Sequence, residues 1–325
     1  MARVFIDGFE AQDLSLWDVT EYAVVSAAQP GMTGSYCLNL NYNATVGTVL
    51  KTLPASAEYY FAFKIRMSNT DAHGILFVRN GNTVIGRIVT SGGLIKVYSG
   101  TSLRATGTKP LAPLTTYLME IRYKVGDVDG VIQVKVNGLI DINYTGDTQP
   151  GADTQINTIF MGREATYGTY AAAYYDDFVV DNLAWIGNTF VQLVKPTGAG
   201  NSTQWTPSVG ANYECVDETP YDDVDFISTN IPDKLDLYTI NNLSGEIGSI
   251  KCVQARALAK QEGTPDVTNL KLAVRTGGVD HFSADLPIGT ALTPLLKVWE
   301  ANPETTNPWT EAQLNDVELG VKAAA

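Results

Sequence analysis

Tyr174-Tyr175-Asp176-Asp177-Phe178-Val179-Val180-Asp181, set against Asp7-Gly8-Phe9-Glu10 near the start, decides how this chain is read. Both segments have strand character, and they enclose a stretch in which nearly every run is rich in β-branched and aromatic residues. They are expected to be the first and last strands of one closed sandwich. That places one domain over residues 1–187 and a second over residues 188–325.

Inside the first domain, apolar and polar residues alternate over residues 59–67, 74–79, 83–89, 94–98 and 131–136. Such alternation turns one face of a strand to a core and the other to water. Asn80-Gly81, Ser91-Gly92-Gly93, Gly126 to Gly130 and Asn137-Gly138 fall between these runs as turns. Asn-Gly suits a tight hairpin because both residues tolerate positive φ. Residues 115–124 have Leu and Met content that suits a helix, but Tyr117, Met119, Ile121 and Tyr123 alternate with Leu118, Glu120, Arg122 and Lys124, which predicts a strand. An antiparallel meander with residues 131–136 and 139–144 follows. In the second domain residues 189–194, 233–238, 248–257, 270–275 and 295–300 read as strands, and residues 195–202 as a polar loop. Thr310-Glu311-Ala312-Gln313 fits a capping box, opening a short helix that ends near Asp316 before a last strand from Val317 to Val321.

Composition narrows the function classes. A chain of 325 residues is long enough for two ordinary domains, and 45% apolar with 18% charged residues describes a globular protein. A net charge of −13, from 35 acids and 22 bases, argues against binding nucleic acid, which needs clustered Lys and Arg. Met1 to Asp7 lacks the apolar core of a signal peptide, and no run of about 18 apolar residues exists, so cytoplasmic synthesis without a membrane span is expected. Cys37, Cys215 and Cys252 are an odd number with no C-x-x-C pair, too few for a zinc site even with His73 and His281. They are expected to be free thiols; Cys215 and Cys252 both fall in strand-like runs, and a disulfide between them is left open.

With the strands placed, the first 185 residues resemble the concanavalin A-like, laminin G-like jelly rolls of phage and prophage structural proteins. The resemblance rests on Asp7-Gly8-Phe9-Glu10, the Tyr60 to Arg66 strand, the hairpin from Tyr117 to Gly138, and Tyr175 to Val180. The second half is similar to a β-rich module that accompanies such domains in tailed-phage virion proteins, through Asn302-Pro303, Asn307-Pro308-Trp309-Thr310 and Asp316 to Val321. The fold class implied is all-β: a jelly-roll sandwich followed by a second β-rich, sandwich-like domain with one short helix near the C-terminus. The function implied is a non-enzymatic virion structural component on capsid, neck or tail. It would be a homo-oligomer at the virion surface, held by contacts with other virion structural proteins and with a role in glycan adhesion. Jelly rolls also host hydrolases and lectins. The alternative is therefore a carbohydrate-active enzyme, a depolymerase or glycoside hydrolase, or a calcium-dependent lectin.

Glycoside hydrolysis needs two carboxylates facing across a cleft. Asp127 and Asp129 lie in a glycine-flanked turn, and Asp176 and Asp177 are adjacent, so on a regular strand they point to opposite faces as a solvated strand end. No catalytic residue is assigned. Calcium is the cofactor considered: the fold class binds it through carboxylates, and Asp7, Glu10, Asp176 and Asp181 converge if the first and last strands pair. Tyr167, Tyr170 and Tyr174 stand in a segment of little charge as candidate rings for stacking on sugars. His73 and His281 each neighbour an Asp but have no nucleophile motif, and are expected in solvated loops. The acidic run from Glu214 to Asp225 is read as a solvated loop or a docking surface for a basic partner.

Overall fold

The computed structural model describes residues 3–40, 47–162, 172–245, 247–263 and 266–325. The chain forms two compact units, Met1–Val191 and Gln192–Ala325. Residues 188–191 lie with the first unit, where the Val191 backbone N–H donates to Asp177 Oδ1 at 2.8 Å.

The first unit is built from β1 (Arg3–Asp7), β2 (Val19–Glu21), β3 (Ala23–Ala27), β4 (Tyr36–Leu40), β5 (Thr48–Ser56), β6 (Glu58–Met67) and β7 (Ala72–Asn80). It continues with β8 (Thr83–Ser91), β9 (Leu94–Ser99), β10 (Ser102–Thr106), β11 (Thr116–Lys124), β12 (Gly130–Val136), β13 (Leu139–Gly146), β14 (Ile156–Gly162) and β15 (Ala173–Asp181). One sheet has the order β13-β12-β11-β6-β15-β4-β3, with β1 on β15; the other runs β10-β9-β8-β7-β14-β5-β2. Every pairing in them is antiparallel, and β1 does pair with β15, Asp7 opposite Phe178.

Alternation fixes which residues face the interior. Along β6, Tyr59, Phe61, Phe63, Ile65 and Met67 are buried, and opposite them on β11 stand Tyr123, Ile121 and Met119. Phe63 stacks on Phe178 at 5.3 Å, and Trp17 meets Phe178 and Phe5 edge-on at 5.6 and 5.0 Å. Truncating a ring such as Phe63 to Ala costs about 3–5 kcal/mol at a site of this kind. The buried Asp7 is satisfied there, accepting from Trp17 Nε1 at 2.9 Å and from the Phe9 N–H at 2.8 Å.

The second unit holds β16 (Pro196–Thr203), β17 (Thr206–Pro207), β18 (Ile227–Ser228), β19 (Leu235–Ile240), β20 (Val253–Ala259), β21 (Asn269–Thr276), β22 (Val279–Phe282), β23 (Leu286–Pro287), β24 (Thr293–Trp299) and β25 (Glu318–Ala324). Its largest sheet has the order β16-β19-β25-β21-β22, with β23 on β21. The only α-helix among the described residues, α1 (Glu311–Leu314), starts at the expected capping box: Thr310 Oγ1 accepts from the Gln313 N–H and Gln313 Oε1 from the Thr310 N–H. Trp309 is buried beside it and donates to the Trp299 carbonyl at 3.1 Å.

Some local expectations change. Residues 195–202, read as a loop, form β16, because Thr, Ala and Ser on an edge strand need little apolar alternation; residues 189–194 form no strand. Cys215 lies in a 3-10 turn, Asn212–Cys215, and Cys252 just before β20; all three cysteines are free thiols. His73 sits on β7, fully buried, where desolvation pushes it down to about 4 and keeps it neutral. His281 belongs to β22 and meets Glu304 at 3.2 Å.

Candidate functional site

The outer face of the β6-containing sheet concentrates charge and amide groups. Side chains there form transverse rows, because residues in register on antiparallel neighbours project to the same side. One row holds Tyr60, Arg122 and Gln133. The next holds Ala62, Glu120 and Lys135, and the one after it Lys64, Leu118 and Asp176. The last comprises Thr116, Arg66, Tyr174, Asn39 and Val24, on β11, β6, β15, β4 and β3.

The first two rows are closed. Arg122 donates to Glu58 at 2.6 Å and to Gln133 at 3.3 Å, Gln133 donates to Asn143 at 2.7 Å, and Tyr60 donates to Glu58 at 2.9 Å. Trp185 packs edge-on to Tyr60 at 5.4 Å with the Lys135 ammonium 3.6 Å above its ring. The Gly187 N–H caps Glu120 at 3.0 Å. Trp185 and Gly187 therefore lie against this part of the sheet.

The third row is closed by the turn between β3 and β4. Thr33 donates its N–H to Asp176 Oδ2 at 3.0 Å and its hydroxyl to Asp177 Oδ2, while Lys64 Nζ reaches Asp177 at 2.9 Å and Thr33 Oγ1 at 3.0 Å. Thr116 Oγ1 donates to the Pro30 carbonyl at 2.6 Å. The expectation that Asp176 and Asp177 diverge as a solvated strand end is corrected. A bulge interrupts the register after Asp176, Asp177 adopts φ 51°, and both carboxyls reach one threonine hydroxyl while buried. A bulge adds a residue and re-aims its side chain. Burial, reinforced by the Asp177 carboxylate, pushes Asp176 up to about 7.

The last row is covered by the same turn at Thr116 and is open beyond it among the described residues. Arg66, Tyr174 and Asn39 are half-buried, and they share a face opposite the buried Ile65, Met67, Tyr175, Leu38 and Leu40. Arg66 Nε and Asn39 Oδ1 are both inaccessible to solvent and have no hydrogen-bond partner among the described residues. Tyr174 stands between them. Of the tyrosines expected to meet sugars, Tyr174 is thus in this row; Tyr167 and Tyr170 lie outside the described residues. Arg66 and Asn39 were not singled out from sequence.

The four carboxylates considered for calcium each accept hydrogen bonds from within the protein. Asp7 binds Trp17 and Phe9, Glu10 accepts from the Ser35 and Tyr36 N–H groups, and Asp181 from those of Leu183 and Ala184. Asp176 serves Thr33, and among the described residues no three His, Cys, Asp or Glu gather as a metal site.

No family model and no curated protein matches the chain. Among solved structures the chain is similar to a sialidase, at 17% identity and TM-score 0.43 over 56% of this chain, spanning only 18% of that protein's length. It is also similar to an endo-β-1,4-glucuronan lyase from the fungus Trichoderma reesei, at 12% identity and TM-score 0.43 over 55% of this chain and 95% of the other. A third is the carbohydrate-binding module CBM66 from Bacillus subtilis, at 8% identity and TM-score 0.35 over 52% and 98%. The expectation of a non-enzymatic structural component of a phage virion is corrected here. The similar structures are carbohydrate-active enzymes and a carbohydrate-binding module, and neither the virion role nor the assignment as a non-enzyme is retained.

Proposed function

We propose that the chain is a carbohydrate-active protein whose first unit takes up a glycan on the open end of the outer face described above. One observation carries this reading: on that face the half-buried Tyr174 stands between two half-buried polar side chains, Arg66 and Asn39. A tyrosine ring flanked by a guanidinium and an amide suits a sugar, whose apolar ring face packs on the aromatic ring and whose hydroxyls both donate and accept.

Screening the full chain on a glycan panel tests this reading. Binding that Tyr174→Ala weakens supports the proposal, and no binding to any glycan contradicts it.

A further inference from the structure

We infer that the outer face of the first unit's other sheet, β10-β9-β8-β7-β14-β5-β2, binds an anionic glycan. This goes beyond the reading above, because it concerns the opposite side of the sandwich and uses none of the residues around Tyr174. Charge partition singles the face out. The strands of that sheet carry five bases, Lys51, Arg79, Arg87, Lys96 and Arg104, and one acid, Glu21. In a chain of net charge −13 this is a local reversal of sign, which raises the concentration of anions at the surface that bears it. Lys51 and Arg104 are engaged by Asp18 and Asp147; Arg79, Arg87 and Lys96 are the cations of the face itself.

Register decides which side chains stand outside. Gly86 on β8 faces inward, since a Cβ there would meet the Tyr123 ring of the facing sheet. Its neighbour Arg87 therefore projects outward. Cross-strand pairing puts Phe77 and Tyr98 on either side of Arg87, with Phe160 beyond Phe77 and Leu103 beyond Tyr98. Phe77 is buried, edge-on to Phe160 at 5.5 Å, and forms the floor of the strip. Phe160, Arg87 and Tyr98 are half-buried, and Leu103 is 51% exposed. Cations border the strip on both sides. The Arg79 guanidinium lies 4.3 Å from the centre of the Phe160 ring, and Lys96, two residues before Tyr98 on β9, donates to Ser91 Oγ at 3.1 Å. Lys96 has no ion pair among the described residues.

Ring and alkyl surface bordered by cations fits a chain of sugar rings that carries acidic substituents. The ring faces pack on Phe160 and Tyr98, and the carboxylates or sulfates meet the guanidiniums and Lys96. Phe160 and Tyr98 lie three strand spacings apart, about 14 Å, so the strip takes several rings in succession. A nucleic acid is disfavoured, because the net charge opposes a continuous phosphate backbone.

Calorimetry on the full chain tests this with a 1,4-linked uronic acid hexamer, the same hexamer with its carboxyls reduced to alcohols, a sulfated neutral hexamer, and a glutamate hexapeptide. The expected result is that an anionic hexamer binds about tenfold or more tighter than the reduced one, and that Arg87→Gln combined with Lys96→Gln removes about that factor. The tighter anionic hexamer identifies the group as carboxylate or sulfate. Lys96→Gln alone is expected to lose about threefold, and it keeps the test open if the melting temperature shows the double variant unfolded. Arg122→Gln removes the same charge from the first sheet and is expected to leave the affinity unchanged.

Equal affinity for charged and reduced hexamers overturns the anionic assignment. Wild-type affinity in both Lys96 variants overturns the choice of face; if Tyr174→Ala then abolishes binding, the glycan belongs to the first sheet and the reading above stands. Equally tight binding of the glutamate peptide through Arg87 and Lys96 overturns the glycan assignment in favour of an acidic protein. Failure of both anionic hexamers overturns this inference, whereas the reading above falls only if the whole glycan panel fails.

Discussion

The two ends of one sheet face behave differently. At one end Glu58, Tyr60, Arg122, Gln133 and Asn143 satisfy one another, and Trp185 closes over them. At the other, Arg66, six residues beyond Tyr60 along β6, and Asn39 on β4 bury polar atoms that nothing in the described structure completes. Both ends carry charge and share β6 and β11. Charge on a sheet face is therefore a poor guide to function, because a closed network is matched within the protein and adds stability.

The difference can be broken by mutation. The largest effect is expected at the seam, where Asp176 lies under Thr33. An aspartate whose folded pKa is raised from 3.8 to about 7 binds its proton more tightly folded than unfolded. The native state is therefore favoured by this group at low pH, and its contribution falls as pH rises from about 4 through about 7. Asp176→Asn removes that fall. Denaturant titrations at pH 5 and pH 8 should show the variant gaining on wild type by roughly 2–4 kcal/mol between the two. A difference that does not change with pH would show that Asp176 is not held protonated.

At the closed end, Arg122→Ala should cost about 1–2 kcal/mol of stability, since it strips partners from Glu58 and Gln133. Glycan affinity should be unchanged. A loss of affinity there would erase the distinction between the ends. Tyr174→Ala should do the reverse, weakening glycan binding about tenfold, or ~1.4 kcal/mol, while moving the unfolding midpoint little. The smallest effect is expected for Lys135→Ala, which removes the ammonium over Trp185 and should cost about 0.5–1 kcal/mol. A thermal melt sees that loss, and calorimetry should see none.

Much of the fold was legible in the sequence because it is local. Period-2 alternation located β6 through β9, β11 and β12, and the Thr310 capping box located α1. β16 escaped because an edge strand of Thr, Gly, Ala and Ser carries no alternation of hydrophobicity. His73 was read as a loop residue from its Asp and Gly neighbours, yet β7 begins at Ala72 and buries it. The open row was legible only at Tyr174. Arg66 and Asn39 meet it through pairings between residues far apart in sequence, and no spacing in the chain encodes that register. The shared contact of Asp176 and Asp177 depends on a bulge, which overrides the strand rule that separates adjacent side chains.

The most direct measurement is a crystal structure of the full chain with a glycan that the panel identifies. The account predicts a sugar ring against Tyr174 on the outer face. An ordered glycan over Trp185 and Tyr60, or on the Gln192–Ala325 unit, with Tyr174 left uncovered, would contradict it.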